Sequence, residues 1–336
     1  MTLSRRPFLR RLAALTTGPL AVTVAAALAL LAPQANAQSE PTPARILVGF
    51  SAGGSFDAVA RLLAERLRLE LKRPVMVENR PGAGGRLAVD ALKSGPRDGS
   101  TVMLGPDALT AMYPFTLARI QYDPKKDLLP IGTVTEFPFV LAVSAQARTA
   151  TLADYVRWAK ANPQQANYGV PARGAPHHFF GITLGQAIGV PLQDVPFQGS
   201  APMLVGVIGE QVSAGIDAYG SVLEQHRAGK LRMLAISAPQ RMPQTPDVPT
   251  FTEQGYKGIQ GMGFNALYAP AGTPPAAVSA WSQALARVLG QPQVREQLLA
   301  MGMLPVGKGP DELIERQRQA IARWEPVIRA SGFRAD

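Results

Sequence analysis

Residues 46–57 read Ile46-Leu47-Val48-Gly49-Phe50-Ser51-Ala52-Gly53-Gly54-Ser55-Phe56-Asp57. A short apolar run of buried-strand type passes through a glycine turn into a helix expected from about Asp57 to Leu71. On that helix Val59, Leu63, Leu67 and Leu71 recur every four residues, and Arg61, Glu65 and Arg68 lie off the stripe. One face is therefore buried and the other wet. Strand, tight turn and amphipathic helix following one another over residues 46–71 are the signature of an α/β chain.

The same alternation continues outward. Val75-Met76-Val77 is a second strand, the turn Asn79 to Gly85 leads to another helix, and Thr101 to Leu104 is a third strand. Strands then follow at Phe139 to Val143, Ala166 to Val170 and Leu231 to Ile236, with helices at Leu152 to Ala161 and Phe179 to Ile188. The C-terminus reads as helices around Val278, Trp281, Leu285 and Val288, then at about 292–301 and 311–330. Such alternation predicts mainly parallel sheets with helices on both faces. Ligands of open α/β sheets sit beyond the carboxyl ends of the strands. The turns at 51–57, 79–86, 105–109 and 171–178 are therefore the places where function is expected.

The N-terminus carries a different signal. Arg5-Arg6 stands before Phe8-Leu9, an uncharged run extends from Leu12 to Ala32, and Ala35-Asn36-Ala37 closes it. This is the pattern of an export signal, residues 1–37, with a twin-arginine character and cleavage before Gln38. A membrane anchor is the bland reading of the same run, and the Ala35/Ala37 pair favours cleavage. The 336-residue chain has a net charge of +10, and the signal holds four of its arginines and none of its acids. The remainder balances 30 basic against 24 acidic side chains, spread without long like-charge runs. That argues against nucleic acid as a partner and gives a mild field for small anions. With no cysteine, the chain has neither disulfides nor a lipid-anchor site.

Glycines at 53 and 54 free backbone N–H groups beside a helix start, an arrangement suited to a carboxylate. The bland alternative is that a tight turn needs glycine and that Asp57 caps the helix. From the turn alone the two readings stand level. Gly49 to Gly53 also matches G-x-S-x-G, the elbow of serine hydrolases, but it follows the first strand and lacks an oxyanion segment upstream. Three histidines without cysteine give no metal-binding pattern, and no nucleotide-phosphate motif is present, so neither metal nor cofactor is expected. Tyr168 to Phe179 repeats the strand, glycine turn and helix order and adds Arg173, which could grip a carboxylate bidentately or lie exposed on its loop.

Several further stretches carry a family resemblance: Val77-Glu78-Asn79-Arg80-Pro81-Gly82-Ala83-Gly84-Gly85, Pro96-Arg97-Asp98-Gly99, Tyr122-Asp123-Pro124, Val195 to Pro202, Ala228 to Arg232, Pro246 to Thr250 and Ala269 to Pro274. In that order they resemble the Bug family of periplasmic solute receptors, the extracytoplasmic components of tripartite tricarboxylate transporters. The resemblance spans about Ala44 to Phe333. It implies a two-lobed type II periplasmic-binding-protein (Venus-flytrap) fold, with lobe 1 formed by 38–142 plus 264–336 and lobe 2 by 143–263. It implies a monomeric periplasmic receptor, not an enzyme, that hands a small carboxylate to membrane transporter subunits. Acidic amino acids, dicarboxylates and aromatic carboxylates are the ligand classes implied, held by loop backbone groups and ordered waters.

Carried onto this chain, the first-lobe site is Ser51, Ala52, Gly53, Gly54, Ser55 and Asp57. The second-lobe site is Arg173, Gly174, Ala175 and His177, and Asp217 matches an acid after a second-lobe strand. Ser51 and Ala52 stand where the family usually has proline. Arg173 and Pro176-His177 replace small polar residues, Pro106-Asp107 replaces small hydroxyl residues, and Ser213 replaces a frequent acid. The expectation is that the 51–57 loop takes one ligand carboxylate and Arg173 a distal one. If Asp107 faces the cleft, it favours a ligand amine. The same fold serving as a sensor for a signalling receptor, or a hydrolase using Ser51, are the alternative functions.

Overall fold

The computed structural model describes residues 42–335. The export signal expected at 1–37 lies outside them. Strand β1 (Ala44–Val48) is flanked by β2 (Val75–Asn79) and β3 (Thr101–Pro106), both parallel to it. Helix α1 (Ser55–Glu70) links β1 to β2, and α2 (Arg86–Lys93) links β2 to β3. Val59, Leu63 and Leu67 of α1 are fully buried while Arg61 and Glu65 are exposed, as the four-residue stripe requires. The helix starts two residues earlier than its stripe suggests, because Gly54 in extended conformation already serves as N-cap.

After two short helices, α3 (Ala108–Ala111) and α4 (Tyr113–Thr116), and the turn α5 (Pro124–Asp127), the chain enters β4 (Leu128–Ser144). This 17-residue strand organises the molecule. Its first part, to Pro138, pairs antiparallel with β9 (Met262–Pro270), which in turn pairs with β3. From Phe139 it pairs instead with β7 (Gly215–Ala218) and β8 (Leu231–Ile236). Beyond β7 lie β5 (Asn167–Val170) and β6 (Gln193–Pro196), again parallel. Two groups of parallel strands are thus joined through an antiparallel centre. Sequence periodicity finds only 139–143 of β4, since Pro130, Gly132 and Pro138 hide the rest. The first two sit beside register shifts and Pro138 at the change of partner, places where a strand tolerates lost ladder bonds.

Helices α6 (Leu152–Ala161), α7 (Pro176–Ile188), α8 (Ser200–Ile208) and α9 (Tyr219–Arg227) cover the second strand group. Helices α10 (Pro275–Gly290) and α11 (Pro292–Ala300) with strand β10 (Leu304–Lys308) close the first. Trp281 of α10 is fully buried and its indole N–H donates to the Gly99 carbonyl at 2.9 Å. Among the described residues no helix is long and apolar enough to cross a membrane.

The last helix, α12 (Pro310–Ser331), is about 33 Å long at 1.5 Å per residue. At its start Glu312 accepts from Thr133 of β4 at 2.6 Å, and Arg316 pairs with Glu136 of β4 and, one turn back on its own helix, with Glu312. Towards its end Trp324 meets Phe180 edge to face at 4.8 Å, and Phe333 packs against His178 at 4.6 Å, both on α7. The Ala335 amide then donates to Thr116 at 2.7 Å, back beside α4. One helix therefore ties both strand groups together, and its apolar contacts belong to a core running from Leu47 to Phe179.

Truncating Trp324, only 4% exposed, empties the centre of that contact. Trp324→Ala should cost about 3–5 kcal/mol of unfolding free energy. Urea titration checks this; a loss below about 1 kcal/mol would show that α12 lies on α7 without holding it.

Candidate ligand-binding site

Five helices begin at one cavity of about 620 Å3. Gly54, Ser55 and Phe56 bring the start of α1 to its wall, Asp107 and Ala108 that of α3, and Ala175 to His177 that of α7. Gly199 to Pro202 bring the start of α8, and Ala218 with Ser221 that of α9. The N-caps Gly54, Asp107, Ala175, Gly199 and Ala218 make no side-chain capping bond. By contrast α6 is closed by the reciprocal Thr151–Asp154 capping box. Uncapped helix starts leave backbone N–H groups without partners and carry the positive end of the helix dipole. Among the described residues no lysine or arginine lines the cavity. The helix starts are therefore the source of positive partial charge on this wall.

The first loop owes its shape to Asp57. One carboxylate oxygen accepts from the Gly53 amide at 2.9 Å and Arg61 Nε at 2.8 Å; the other accepts from Asn79 Nδ2 at 3.0 Å. The same Asn79 group donates to the Phe50 carbonyl at 3.0 Å, tying the loop to β2. The Arg61 hydrogen bond, with help from Gly53 and Asn79, outweighs burial and lowers the Asp57 pKa to about 2. Backbone packing fixes the loop from the other side: a Cβ on Gly49 would stand 2.4 Å from the Gly85 Cα. Asp57 is therefore the clasp of the loop and does not line the cavity, a correction to its expected ligand role. Its oxygens are already taken by donors that only the folded turn brings near. Ala52 and Gly53 also stand off the wall, whereas Ser51, Gly54 and Ser55 are on it.

The second loop divides in the same way. Ala175 and His177 line the cavity with Pro171, Ala172 and Pro176. Arg173 does not. Its guanidinium forms a forked pair with Asp194 on β6, at 2.5 and 2.9 Å, and lies 5.9 Å over the Phe333 ring. Gly174, at φ +78°, turns its amide onto His178 Nδ1 at 3.3 Å. The expected grip of Arg173 on a distal carboxylate is thereby corrected, because Asp194 and Phe333 engage it outside the cavity. Ser213 is also distant in role: it fastens β5 to β7 through Asn167.

Besides the Tyr113 hydroxyl, three ionisable groups stand on the wall. Asp107, at the end of β3, and Asp217, in β7, are each 3% exposed, and each has a buried Oδ2 without a hydrogen-bond partner. Burial pushes Asp107 up to about 7 against the opposing Ala108 amide. It pushes Asp217 up to about 6, opposed in part by the Ser200 hydroxyl and the Ala218 amide. His177 is half-buried with its Nε2 inside, and desolvation holds its pKa down at about 3 despite the Ala172 carbonyl, so the imidazole is neutral. Its Nε2 has no partner, so no hydrogen bond joins it to Ser51, and the hydrolase reading lacks its nucleophile–base contact.

The rest of the wall is aromatic. Phe50 and Phe56 stack at 4.4 Å, and Phe137 and Phe139 meet at 5.6 Å, with Tyr113 nearby. The sequence expectations place neither these side chains nor the Gly199–Pro202 turn in the site. Phe137 and Phe139 are two residues apart and so share a strand face, but which face is lined by ligand space depends on partners far along the chain. The Gly199 turn had a usable signal, a glycine between an extended segment and an apolar helix.

Residues 59–333 match the model of a family described as the tripartite tricarboxylate transporter family receptor. The chain is 32% identical to protein BugT of Bordetella pertussis over 291 residues, 86% of this chain and 89% of BugT. Among solved structures it resembles a Rhodopseudomonas palustris protein with adipate, at 30% identity and TM-score 0.82, covering 88% of this chain and 99% of that one. It also resembles MatC from the same organism with bound malate, at 30% identity and TM-score 0.77, covering 85% and 98%.

The Asp57 clasp has a pH signature. Its folded pKa of about 2 lies below the usual 3.8, so its stabilisation is complete above about pH 4 and lost as pH falls towards 2. Asp57→Asn should cost about 1–3 kcal/mol at neutral pH and flatten the stability curve between pH 4 and 2. Denaturant midpoints across that range check it; parallel curves for both proteins would show that the clasp carries no such load.

Proposed function

The chain belongs to the tripartite tricarboxylate transporter receptor family, and from that premise we propose that it is a periplasmic receptor capturing one small carboxylate between two lobes for delivery to membrane transporter subunits. The family is one of solute-binding receptors, which are not enzymes. The observation that carries the proposal is the convergence of four helix starts without side-chain caps, those of α1, α7, α8 and α9, on a cavity whose described wall holds no lysine or arginine. Backbone amides aimed into a largely apolar space bind a carboxylate without a salt bridge. Each charge-assisted bond is worth about 1.5–3 kcal/mol, so three or four supply the roughly 8 kcal/mol of micromolar affinity. The cavity volume lies within the roughly 300–1,000 Å3 of small-molecule sites. The neighbours bound to adipate and malate support a carboxylate as the guest.

The lobes proposed are 38–142 with 264–336, and 143–263. Supporting this division, β4 changes partner between Pro138 and Phe139, and β9 rejoins the first strand group from Met262. The cavity wall draws on both sides of that change: Ser55 and Asp107 precede it, His177 and Asp217 follow it. Closure of one lobe on the other would expel water and strengthen each amide contact.

Gly54 offers the test. It is an extended N-cap at φ −80°, with only ordinary contact for an added Cβ. Gly54→Asp supplies the missing capping carboxylate internally. It should stabilise the empty protein by a few tenths of a kcal/mol and weaken carboxylate binding about tenfold or more by occupying the same amides. A thermal-shift screen of mono-, di- and aromatic carboxylates on residues 38–336, followed by calorimetry on the variant, reads both effects. Failure of every carboxylate to stabilise the protein, or unchanged affinity in Gly54→Asp, would overturn the reading.

A further inference from the structure

We propose that the guest is a zwitterion, a carboxylate whose apolar body also carries a protonated amine, and that Asp107 and Asp217 receive that amine. The inference rests on the carboxylate-receptor reading of the same cavity and narrows it. All the buried side-chain atoms of the wall that lack a hydrogen-bond partner are acceptors: Asp107 Oδ2, Asp217 Oδ2 and His177 Nε2. The histidine nitrogen counts as an acceptor because its ring is neutral and its other nitrogen faces the Ala172 carbonyl. An ammonium group offers three donors and no acceptor. It is the complement of what the wall leaves unused.

The surroundings of each acid supply no internal cation. Asp107 is faced by the hydroxyls of Tyr113 and Tyr268 and donates its own amide to the Phe264 carbonyl at 3.0 Å. The guanidinium on that side, Arg86, stacks over the Tyr113 ring at 5.8 Å. Asp217 is faced by the Ala218 amide, which donates to Oδ1 at 2.7 Å, and by Ser200. A buried carboxylate without a partner is either protonated or paired with something brought from outside. A dicarboxylate would bring more negative charge to a wall that already holds two acids and no lysine or arginine. A single carboxylate on the helix amides, an ammonium at the acids and an apolar body between complements the kinds of group the wall leaves unused. The stacked Phe50–Phe56 pair and the Phe137–Phe139 pair suit that body, and their ring faces favour a nearby cation.

The test compares four probes by titration calorimetry on residues 38–336: phenylalanine, 3-phenylpropanoate, 2-phenylethylamine and adipate. Phenylalanine should bind at least tenfold tighter than 3-phenylpropanoate, which lacks the amine, and than 2-phenylethylamine, which lacks the carboxylate. Its affinity should rise between pH 5 and 8 as the two acids, raised to about 6 and about 7 in the empty protein, lose their protons. Adipate affinity should fall over the same range. Asp107→Asn and Asp217→Asn should each weaken phenylalanine about tenfold while tightening 3-phenylpropanoate. If adipate or 3-phenylpropanoate binds and the amine adds nothing, or phenylalanine affinity falls with rising pH, this inference fails and the receptor reading stands. If no carboxylate probe binds, both fail.

Discussion

The proposed site depends on helix starts whose N-cap side chains make no capping bond. A helix begins with donors that its own carbonyls cannot reach, and natural chains commonly close them with a serine, threonine or aspartate. Here α6 is closed in that way, while the five helices that start at the cavity are not. Uncapped starts also occur at Pro274, Gln291 and Gly309, so the absence of a cap is not by itself a site. What distinguishes these starts is that together they line one cavity.

That convergence follows from topology. In a parallel strand-turn-helix unit the helix starts beyond the carboxyl end of its strand. Two groups of such units, β1–β3 and β5–β7, are joined through antiparallel β4 and β9, and their turns supply wall to the same cavity. The price of open donors is met by firm packing elsewhere. Asp57 spends its oxygens on the loop, Gly49 meets Gly85 backbone to backbone, and α12 runs from Thr133 to α7 to hold the two strand groups. Rigidity around the site lets the amides stay unpaired without the loop collapsing onto them.

Local features of this arrangement were legible in the sequence and long-range ones were not. The β1 strand, its glycine turn and the α1 stripe are determined within some twenty residues, so their pattern survives in the bare chain. The central pairing of β4 with β9 joins positions about 130 residues apart, and prolines break its periodicity. The same distinction separates the site residues. Ser51, Gly54, Ser55, Ala175, His177 and Asp217 were expected there and line the cavity. Arg173 was expected and does not, because its partner Asp194 lies on a neighbouring strand and Phe333 arrives from the far C-terminus. Asp57 likewise stands off the wall, its oxygens held by Gly53, Arg61 and Asn79, of which only the first two are its neighbours in sequence. The aromatic wall had no sequence signal beyond apolarity, which core residues share.

Charge accounting separates the two halves of the wall. Dipole ends of helices are partial charges fixed in place, so they favour an anion without themselves titrating. The acids behave differently, since burial lets them exist neutral at the cost of a proton and ionised at the cost of desolvation. An empty cavity can therefore hold its acids protonated and its amides open with little net charge. A guest carrying both signs removes both costs together, whereas an anion alone satisfies the amides and makes the ionised acids still less favourable. Asp107 stands where small hydroxyl side chains are the family expectation, and its presence changes the sign of charge the wall will accept at that corner. On the proposed reading, specificity is set less by the amide array, which suits any carboxylate, than by which groups are placed opposite it without partners of their own.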